Sequence, residues 1–226
     1  MSTGIALLWD IDGTLLTTRG LGRKPLLGAI RQRTGVDCDY DFASTSGLTD
    51  HQIVNKILEH IGISENQRSI LISEILELYC DEYEELIPAS LIVPLNNVQN
   101  ILEHLSEVTE ITSLICTGNI KRGALLKLKS AGLSRFFEER EFFCSEMLEP
   151  RFHIIERASK YAENRGLSPI VIGDTIHDVE GSKRAGIACV ALESDGYPVQ
   201  FLIDAKPKHV LKLGWGLPEF LGAIRG

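Results

Sequence analysis

The start of the chain constrains its fold more than any other segment. An apolar run, residues 5–9, ends abruptly at Asp10 and Asp12, with one apolar residue between them and a glycine after them. If the run is a buried strand, both aspartates lie where its carboxyl end meets solvent, the usual ligand-binding edge of an open α/β sheet. Two carboxylates this close repel each other unless a cation or a shared proton lies between them. The segment therefore predicts a metal-assisted active site.

Composition excludes several classes of function. The chain of 226 residues has a formal net charge of −8, so it lacks the basic excess with which nucleic-acid-binding proteins neutralise phosphates. No apolar stretch approaches the roughly 18 residues of a membrane span, and the N-terminus does not resemble a signal peptide. The five cysteines form no CxxC spacing, which favours reduced thiols. We therefore expect a cytoplasmic protein, a monomer or a homodimer, that binds neither nucleic acid nor membrane.

Apolar runs and amphipathic patterns alternate along most of the chain. Strands are predicted at residues 111–116, 141–144, 168–172 and 187–192, because continuous apolar runs are typical of strands covered on both faces. Helices are predicted between and after them, at residues 98–105, 122–131, 152–164, 178–185 and 218–224. This alternation predicts an α/β fold, a Rossmann-like doubly wound parallel sheet. In the helix at residues 122–131 we expect Leu125, Leu126 and Leu128 to form the apolar face.

The segment after the first strand breaks this alternation. Helices are predicted at residues 26–34, 50–60 and 65–87, with Thr49 and Ser64 as N-caps and no convincing strand between them. We therefore predict an all-helical cap domain at residues 16–88, inserted after the first strand. The catalytic core then comprises residues 1–15 and 89–226.

Polar groups follow two further predicted strands. Thr117, Gly118 and Asn119 come after one strand, and Asp174 follows another. Asp178 lies four residues beyond Asp174, which places both carboxylates on one face if the chain is helical there. Together with the first two aspartates, these groups would form an edge of oxygen ligands. Such ligands suit Mg²⁺ together with a substrate phosphate.

These motifs resemble those of the haloacid dehalogenase-like hydrolase superfamily, and the architecture resembles that of phosphoglycolate phosphatase-like members. They occur in the family's order, each after a predicted strand, and the resemblance covers the whole chain. The motifs are Asp10-Ile11-Asp12-Gly13-Thr14, Thr117-Gly118-Asn119 and Gly173-Asp174-Thr175-Ile176-His177-Asp178.

The resemblance implies a role for each motif residue. Asp10 would be the nucleophile that forms an aspartyl-phosphate, and Asp12 the general acid and then the general base. Substrate-binding residues would be Thr117, Gly118 and Asn119. Mg²⁺ would be held by Asp10, Asp174 and the backbone carbonyl of Asp12, with Asp178 in support.

The resemblance also implies a lysine or arginine between the second and the last motif. The family often has Lys-Pro there, and this chain has no such pair. Arg151, at the start of the helix at residues 152–164, is the candidate catalytic cation. Lys160 and Lys121 are the weaker alternatives.

Within the family, an aspartate two places after the nucleophile favours phosphoryl transfer over carbon–halogen chemistry. Asp12 stands at that position. The predicted function is a Mg²⁺-dependent phosphomonoester hydrolase that acts on a small phosphorylated metabolite. A sugar phosphomutase of the same fold and a catalytically silent binding or regulatory protein remain as alternatives.

Overall fold

The computed structural model of the chain describes residues 4–87, 92–95 and 97–226. Its strands are β1 (Gly4–Trp9), β2 (Leu16–Thr17), β3 (Val93–Pro94), β4 (Ile111–Cys116), β5 (Phe142–Phe143), β6 (Leu167–Gly173), β7 (Ala188–Leu192) and β8 (His209–Leu211). Its α-helices are α1 (Arg23–Thr34), α2 (Asp50–His60), α3 (Glu65–Leu86), α4 (Val98–Ser106), α5 (Lys121–Ser130), α6 (Arg151–Glu163), α7 (Ile176–Ala185), α8 (Val199–Ala205) and α9 (Leu217–Arg225).

One parallel sheet with the strand order β5-β4-β1-β6-β7-β8 forms the centre of the fold. Strand β1 pairs with β4 on one side and β6 on the other, and Trp9 is level with Ile115 and with Ile172. The chain thus passes from one side of β1 to the other, which leaves a crevice at the carboxyl ends of these strands. The predicted doubly wound parallel sheet is confirmed.

Helices cover both faces of the sheet. Leu7 and Trp9 of β1 pack into a cluster with α4, α5 and α9, whereas Ala6 and Leu8 pack on the opposite face with α6, α7 and α8. Successive side chains of a strand point to opposite faces, and here both faces are buried. This two-sided burial is the reason why the first strand is continuously apolar.

Helices α1, α2 and α3 form an insert between β2 and β3. These two short strands pair antiparallel, with Leu16 opposite Pro94, so the chain enters and leaves the insert side by side. The helices pack on one another through fully buried residues such as Ile30, Val54 and Ile75. The predicted boundary at residues 88 and 89 lies outside the described residues, and the division into core and cap stays a prediction.

Short elements account for most differences from the predicted secondary structure. Strands β2, β3 and β8 and helix α8 were not predicted, and the strand expected at 141–144 spans only Phe142–Phe143. Elements this short carry too few residues to show a hydrophobic period. Thr49 caps α2 as predicted by accepting a hydrogen bond from the Gln52 N–H at 3.3 Å, whereas the Ser64 hydroxyl does not cap α3.

Within the described residues, no helix combines the length and the apolar character that crossing a membrane would require.

An aromatic stack anchors α9 on the sheet and leads to a first prediction. Phe220 is fully buried, and its ring stacks on Trp9 at a centroid distance of 5.3 Å. We expect Phe220→Ala to lower the free energy of unfolding by about 3–5 kcal/mol, because a large cavity would remain against the sheet. Urea denaturation followed by tryptophan fluorescence measures this change. Phe201→Ala on α8, where the side chain is 53% exposed, is the control, and equal losses in both variants would contradict the prediction.

Candidate active site

Asp10 is the first residue after β1, at the carboxyl edge of the sheet. Its backbone N–H extends the ladder by donating to the Ile172 carbonyl at 2.9 Å. Its side chain is 13% exposed, and Oδ1 accepts a hydrogen bond from Arg151 Nη2 at 3.1 Å. The strand thus presents this carboxylate at the crevice while its backbone stays in the sheet.

Three carboxylates meet at this edge. Asp10, Asp174 and Asp178 each offer one oxygen within 4.8 Å of the others. Two glycines permit this approach: a Cβ at Gly13 would lie 2.0 Å from Asp174 Oδ2, and a Cβ at Gly173 would lie 2.3 Å from Asp178 Cγ. Any larger residue at either position would displace a carboxylate.

Burial and mutual repulsion leave this cluster short of positive charge. Burial, together with the nearby Asp178 and Asp12, raises the pKa of Asp10 to about 7, although Arg151 opposes the change. Burial and the negative charges of Asp10 and Asp178 also raise the pKa of Asp174 well above its ordinary value. A divalent cation would favour the ionised form of both groups. The donor set, made of carboxylate oxygens only, therefore fits Mg²⁺.

Hydrogen bonds orient Asp174 and Asp178. Asp174 Oδ2 accepts from Ser194 Oγ at 2.7 Å, and its Oδ1 accepts from Thr14 Oγ1 at 3.4 Å. Asp178 Oδ2 accepts from the Thr175 hydroxyl at 2.8 Å and from the Thr175 N–H at 3.2 Å, where α7 begins. Both carboxylates are therefore held in place by the protein itself.

Arg151 supplies a positive charge within the carboxylate cluster. The side chain is 4% exposed and donates to Asp178 Oδ1 from Nε at 3.0 Å and from Nη2 at 2.8 Å, in addition to its bond to Asp10. Its Nη1 is buried and has no hydrogen-bond partner in the described part of the chain. A buried donor without a partner is unfavourable, so Nη1 is suited to a bound anion. The alternatives Lys121 and Lys160 are exposed on α5 and α6.

Thr117, Gly118 and Asn119 follow β4, the neighbour of β1. Thr117 is 1% exposed and Asn119 is 9% exposed. The Thr117 hydroxyl accepts a hydrogen bond from the Asn119 N–H at 3.3 Å. The second motif is therefore a tight turn beside the strand end that carries Asp10.

A cavity of about 710 Å³ joins these groups. This volume is typical of a site for a small molecule. The part of its lining that comes from the sheet edge includes Asp10, Asp12, Thr117, Asn119, Arg151 and Asp174. Residues of the helical insert, among them Leu26, Asp50 and Tyr79, line the other side.

Sequence comparison identifies the family of the chain. The sequence model described as haloacid dehalogenase-like hydrolase matches residues 7–192. The chain belongs to this family. No curated protein matches its sequence.

Solved structures share the fold of this haloacid dehalogenase-like hydrolase over almost its whole length. A family hydrolase from Streptococcus pneumoniae has a TM-score of 0.69 and 20% identity, with 100% of each chain covered. CbbY from Rhodobacter sphaeroides, solved in complex with phosphate, has a TM-score of 0.72 and 16% identity, with 93% of this chain and 94% of that chain covered. A putative β-phosphoglucomutase from Thermotoga maritima has a TM-score of 0.61 and 18% identity, with 96% and 99% covered.

The hydrolase has a second buried cation that the sequence did not single out. Lys127 Nζ, on α5, lies 2.6 Å from Asp12 Oδ2 and 3.0 Å from Asn119 Oδ1. Burial by itself lowers the pKa of Lys127, but the negative Asp12, with Tyr79 and Asp50, raises it above its ordinary value. Lys127 therefore carries its charge next to the second aspartate of the first motif.

The buried face of α5 corrects the sequence prediction and explains why Lys127 was overlooked. Leu125, Leu126 and Leu128 were expected to form the apolar face, but the structure leaves Leu125 and Leu126 partly exposed. It buries Ala124, Lys127 and Leu128 instead. The spacing of Ala124 and Leu128 was a signal for this face. A lysine between them reads as solvent-exposed unless an acidic partner is known from the tertiary structure.

The N-terminus of α2 is bonded to the second motif. The Asp50 N–H donates to the Gly118 carbonyl at 2.8 Å, and Asp50 Oδ2 accepts from the Ile120 N–H at 2.8 Å. A Cβ at Gly118 would lie 3.0 Å from the Leu48 carbonyl oxygen. Gly118 thus permits close contact with the helical insert, whereas the sequence predicted only a substrate-binding role.

Gly13 provides a test of the carboxylate geometry. Gly13 and Gly35 have similar left-handed backbones, with φ of 80° and 73°, but a Cβ at Gly35 would meet no atom within 4 Å. Alanine at either position should lower stability by about 1 kcal/mol through backbone strain. We expect only Gly13→Ala also to weaken Mg²⁺ affinity, measured by titration calorimetry, because its Cβ displaces Asp174. Equal metal affinity in Gly13→Ala and Gly35→Ala would contradict this prediction.

Asp50 predicts a pH dependence of stability. Burial, helped by Asp12 and opposed by Lys127, raises the pKa of Asp50 from 3.8 to about 6. The folded protein thus holds this proton more tightly than the unfolded chain, so ionisation of Asp50 lowers stability as the pH rises from about 4 to about 6. Asp50→Asn keeps an oxygen acceptor for Ile120 but cannot ionise. Urea denaturation should show the variant gaining roughly 1–3 kcal/mol relative to wild type over this range, and a difference independent of pH would refute the assignment.

Proposed function

We propose that this protein is a Mg²⁺-dependent phosphomonoester hydrolase that forms an aspartyl-phosphate on Asp10. The observation that carries the proposal is the pairing of Asp10 with Arg151 at 3.1 Å, beside the unpartnered and buried Nη1 of the same arginine. A carboxylate nucleophile and a free guanidinium donor at one point suit an anionic substrate whose centre Asp10 attacks. The phosphate bound to CbbY, which shares the fold, supports the same substrate chemistry.

In the first step, a carboxylate oxygen of Asp10 attacks phosphorus and the bond between phosphorus and the alcohol oxygen breaks. Asp12, two residues further along the chain, donates a proton to the departing alkoxide, which leaves as an alcohol. Arg151 and the donors of Thr117 and Asn119 bind the phosphoryl oxygens while the negative charge is redistributed.

In the second step, Asp12 accepts a proton from water as the water oxygen attacks the phosphorus of the aspartyl-phosphate. The acyl-phosphate bond breaks, so the Asp10 carboxylate and inorganic phosphate are released. Asp12 then carries the proton that the next substrate requires, and the enzyme returns to its initial state.

The metal would be held by Asp10, Asp174 and the backbone carbonyl of Asp12, with Asp178 in support. When bound, Mg²⁺ supplies positive charge that offsets the carboxylates and the substrate phosphate. Asp178 also accepts both hydrogen bonds from Arg151 at Oδ1. It therefore orients the arginine beside the metal as well as bordering the metal itself.

The cavity restricts the substrate to a small phosphorylated metabolite. At about 710 Å³ it accommodates a phosphate with a compact organic group. We propose that residues 16–88 act as a cap on a core of residues 1–15 and 89–226, which opens for substrate entry and closes to exclude water. We further propose that the enzyme is cytoplasmic and acts as a monomer or a homodimer, without a nucleic-acid or membrane partner.

The test is a screen of small phosphate monoesters with Mg²⁺ and with a chelator. Wild type should release inorganic phosphate only with Mg²⁺, and Asp10→Asn should lose about 10⁴-fold or more in kcat. Asp204→Asn on α8, an exposed aspartate, is the control and should match wild type. Mass spectrometry of acid-quenched enzyme should find a phosphoryl group on the peptide that contains Asp10.

Two outcomes would replace this proposal. Conversion of β-glucose 1-phosphate to glucose 6-phosphate without stoichiometric phosphate release would identify a mutase, the activity that the name of the Thermotoga maritima structure suggests for that protein. Absence of turnover across the whole screen would support a catalytically silent protein. Wild-type activity in Asp10→Asn would exclude Asp10 as the nucleophile.

A further inference from the structure

Lys127 is a buried charge that the proposed mechanism does not use. It lies on the inner face of α5, between the fully buried Ala124 and Leu128. Removing an ammonium from water is costly, and a well-packed apolar residue at such a place often gives equal or greater stability. Stability alone therefore does not account for a lysine at this position.

The ammonium group joins two motifs. Nζ donates to Asp12 Oδ2 at 2.6 Å and to Asn119 Oδ1 at 3.0 Å. Asp12 follows β1 and Asn119 follows β4, so Lys127 links the ends of neighbouring strands. All three residues line the cavity.

The two bonds decide which atoms of the partners remain available. No described residue donates a hydrogen bond to Asp12 Oδ1, and the Asp12 side chain is 38% exposed. Lysine has only donors, so the Asn119 amide must present its oxygen to Lys127. The Asn119 Nδ2 group is then left as a donor for a ligand.

The helical insert surrounds the same ammonium. Asp50 of α2 and Tyr79 and Tyr83 of α3 lie close enough to act electrostatically on Lys127. Tyr79 is 6% exposed and Tyr83 is fully buried, so they limit the access of water to this point. The ion pair is therefore held in a place where its geometry is well defined.

We propose that Lys127 is a positioning residue for proton transfer by Asp12. By holding Oδ2, it leaves Oδ1 to give and take the proton, and by holding the Asn119 oxygen it turns the amide N–H groups toward the phosphate. This inference rests on the proposed function, because it assigns Lys127 a role through the general acid of that reaction.

Two substrates of nearly equal size separate this role from a structural one. p-Nitrophenolate leaves without a proton, whereas the alkoxide of p-nitrobenzyl phosphate requires one. The value of kcat/KM reports the steps through release of the alcohol. We expect Lys127→Met to lower kcat/KM by about 100-fold or more for p-nitrobenzyl phosphate, as for loss of a general acid. The loss for p-nitrophenyl phosphate should be about 10-fold or less, from the Asn119 contact alone.

Three further variants complete the experiment. Lys129→Met, an exposed lysine on the same helix, should behave as wild type. Lys127→Arg should recover part of the loss, because it keeps a buried cation. In an Asp12→Asn background, Lys127→Met should add no loss that is selective for p-nitrobenzyl phosphate, because residues that act as a unit are not additive. Thermal unfolding followed by circular dichroism verifies that each variant is folded.

The outcomes distinguish this inference from the function on which it rests. Equal losses on both substrates in Lys127→Met, or in the folded Lys127→Arg if the methionine variant does not fold, would overturn the positioning role and leave the hydrolase intact. A selective loss that persists in the Asp12→Asn background would also overturn it. Failure of wild type to hydrolyse either substrate would overturn the proposed function, and the inference with it.

Discussion

Compensation of negative charge at the carboxyl edge of the sheet is the constraint on which the rest of this structure depends. Parallel pairing of β1 with β6 brings Asp10 and Asp174 together, and α7 adds Asp178. Three oxygens within 4.8 Å of one another cannot all be ionised at little cost in a buried place. Arg151, at the start of α6, supplies one positive charge, and the donor set fits a divalent cation as a second.

The helical insert contributes to the same balance of charge. Asp50, at the start of α2, is bonded to the second motif, and Tyr79 of α3 lies near Lys127. The pairing of Lys127 with Asp12 therefore lies where the sheet edge meets the insert. An insert that opens and closes, as we propose, would change the access of water to this pair. This links the position of the insert to the proton transfer that the mechanism assigns to Asp12.

Much of the fold could be predicted because both faces of the sheet are buried. The strand now seen at Ile111–Cys116 and the helix at Asp50–His60 were predicted with the bounds that the structure has. Convergence of the motifs at one edge followed from parallel pairing alone. Arg151 was selected by its place at a helix start, and the structure places it against Asp10; its catalytic role is still a proposal. The two-residue strands escaped prediction because their neighbours, and not their own pattern, decide their geometry.

The sequence by itself determined the alternation of buried strands and amphipathic helices, and with it the meeting of the aspartates of the first and last motifs. These features are local, because hydrophobic period and strand ends can be read within a few residues. Only the tertiary structure decided the partner of each charge. Lys127 and Asp12 are separated by 115 positions in the chain, and their 2.6 Å contact depends on how α5 packs beside β1. Local periodicity cannot encode such a pairing, since a lysine shows its role only when the acid opposite it is in place.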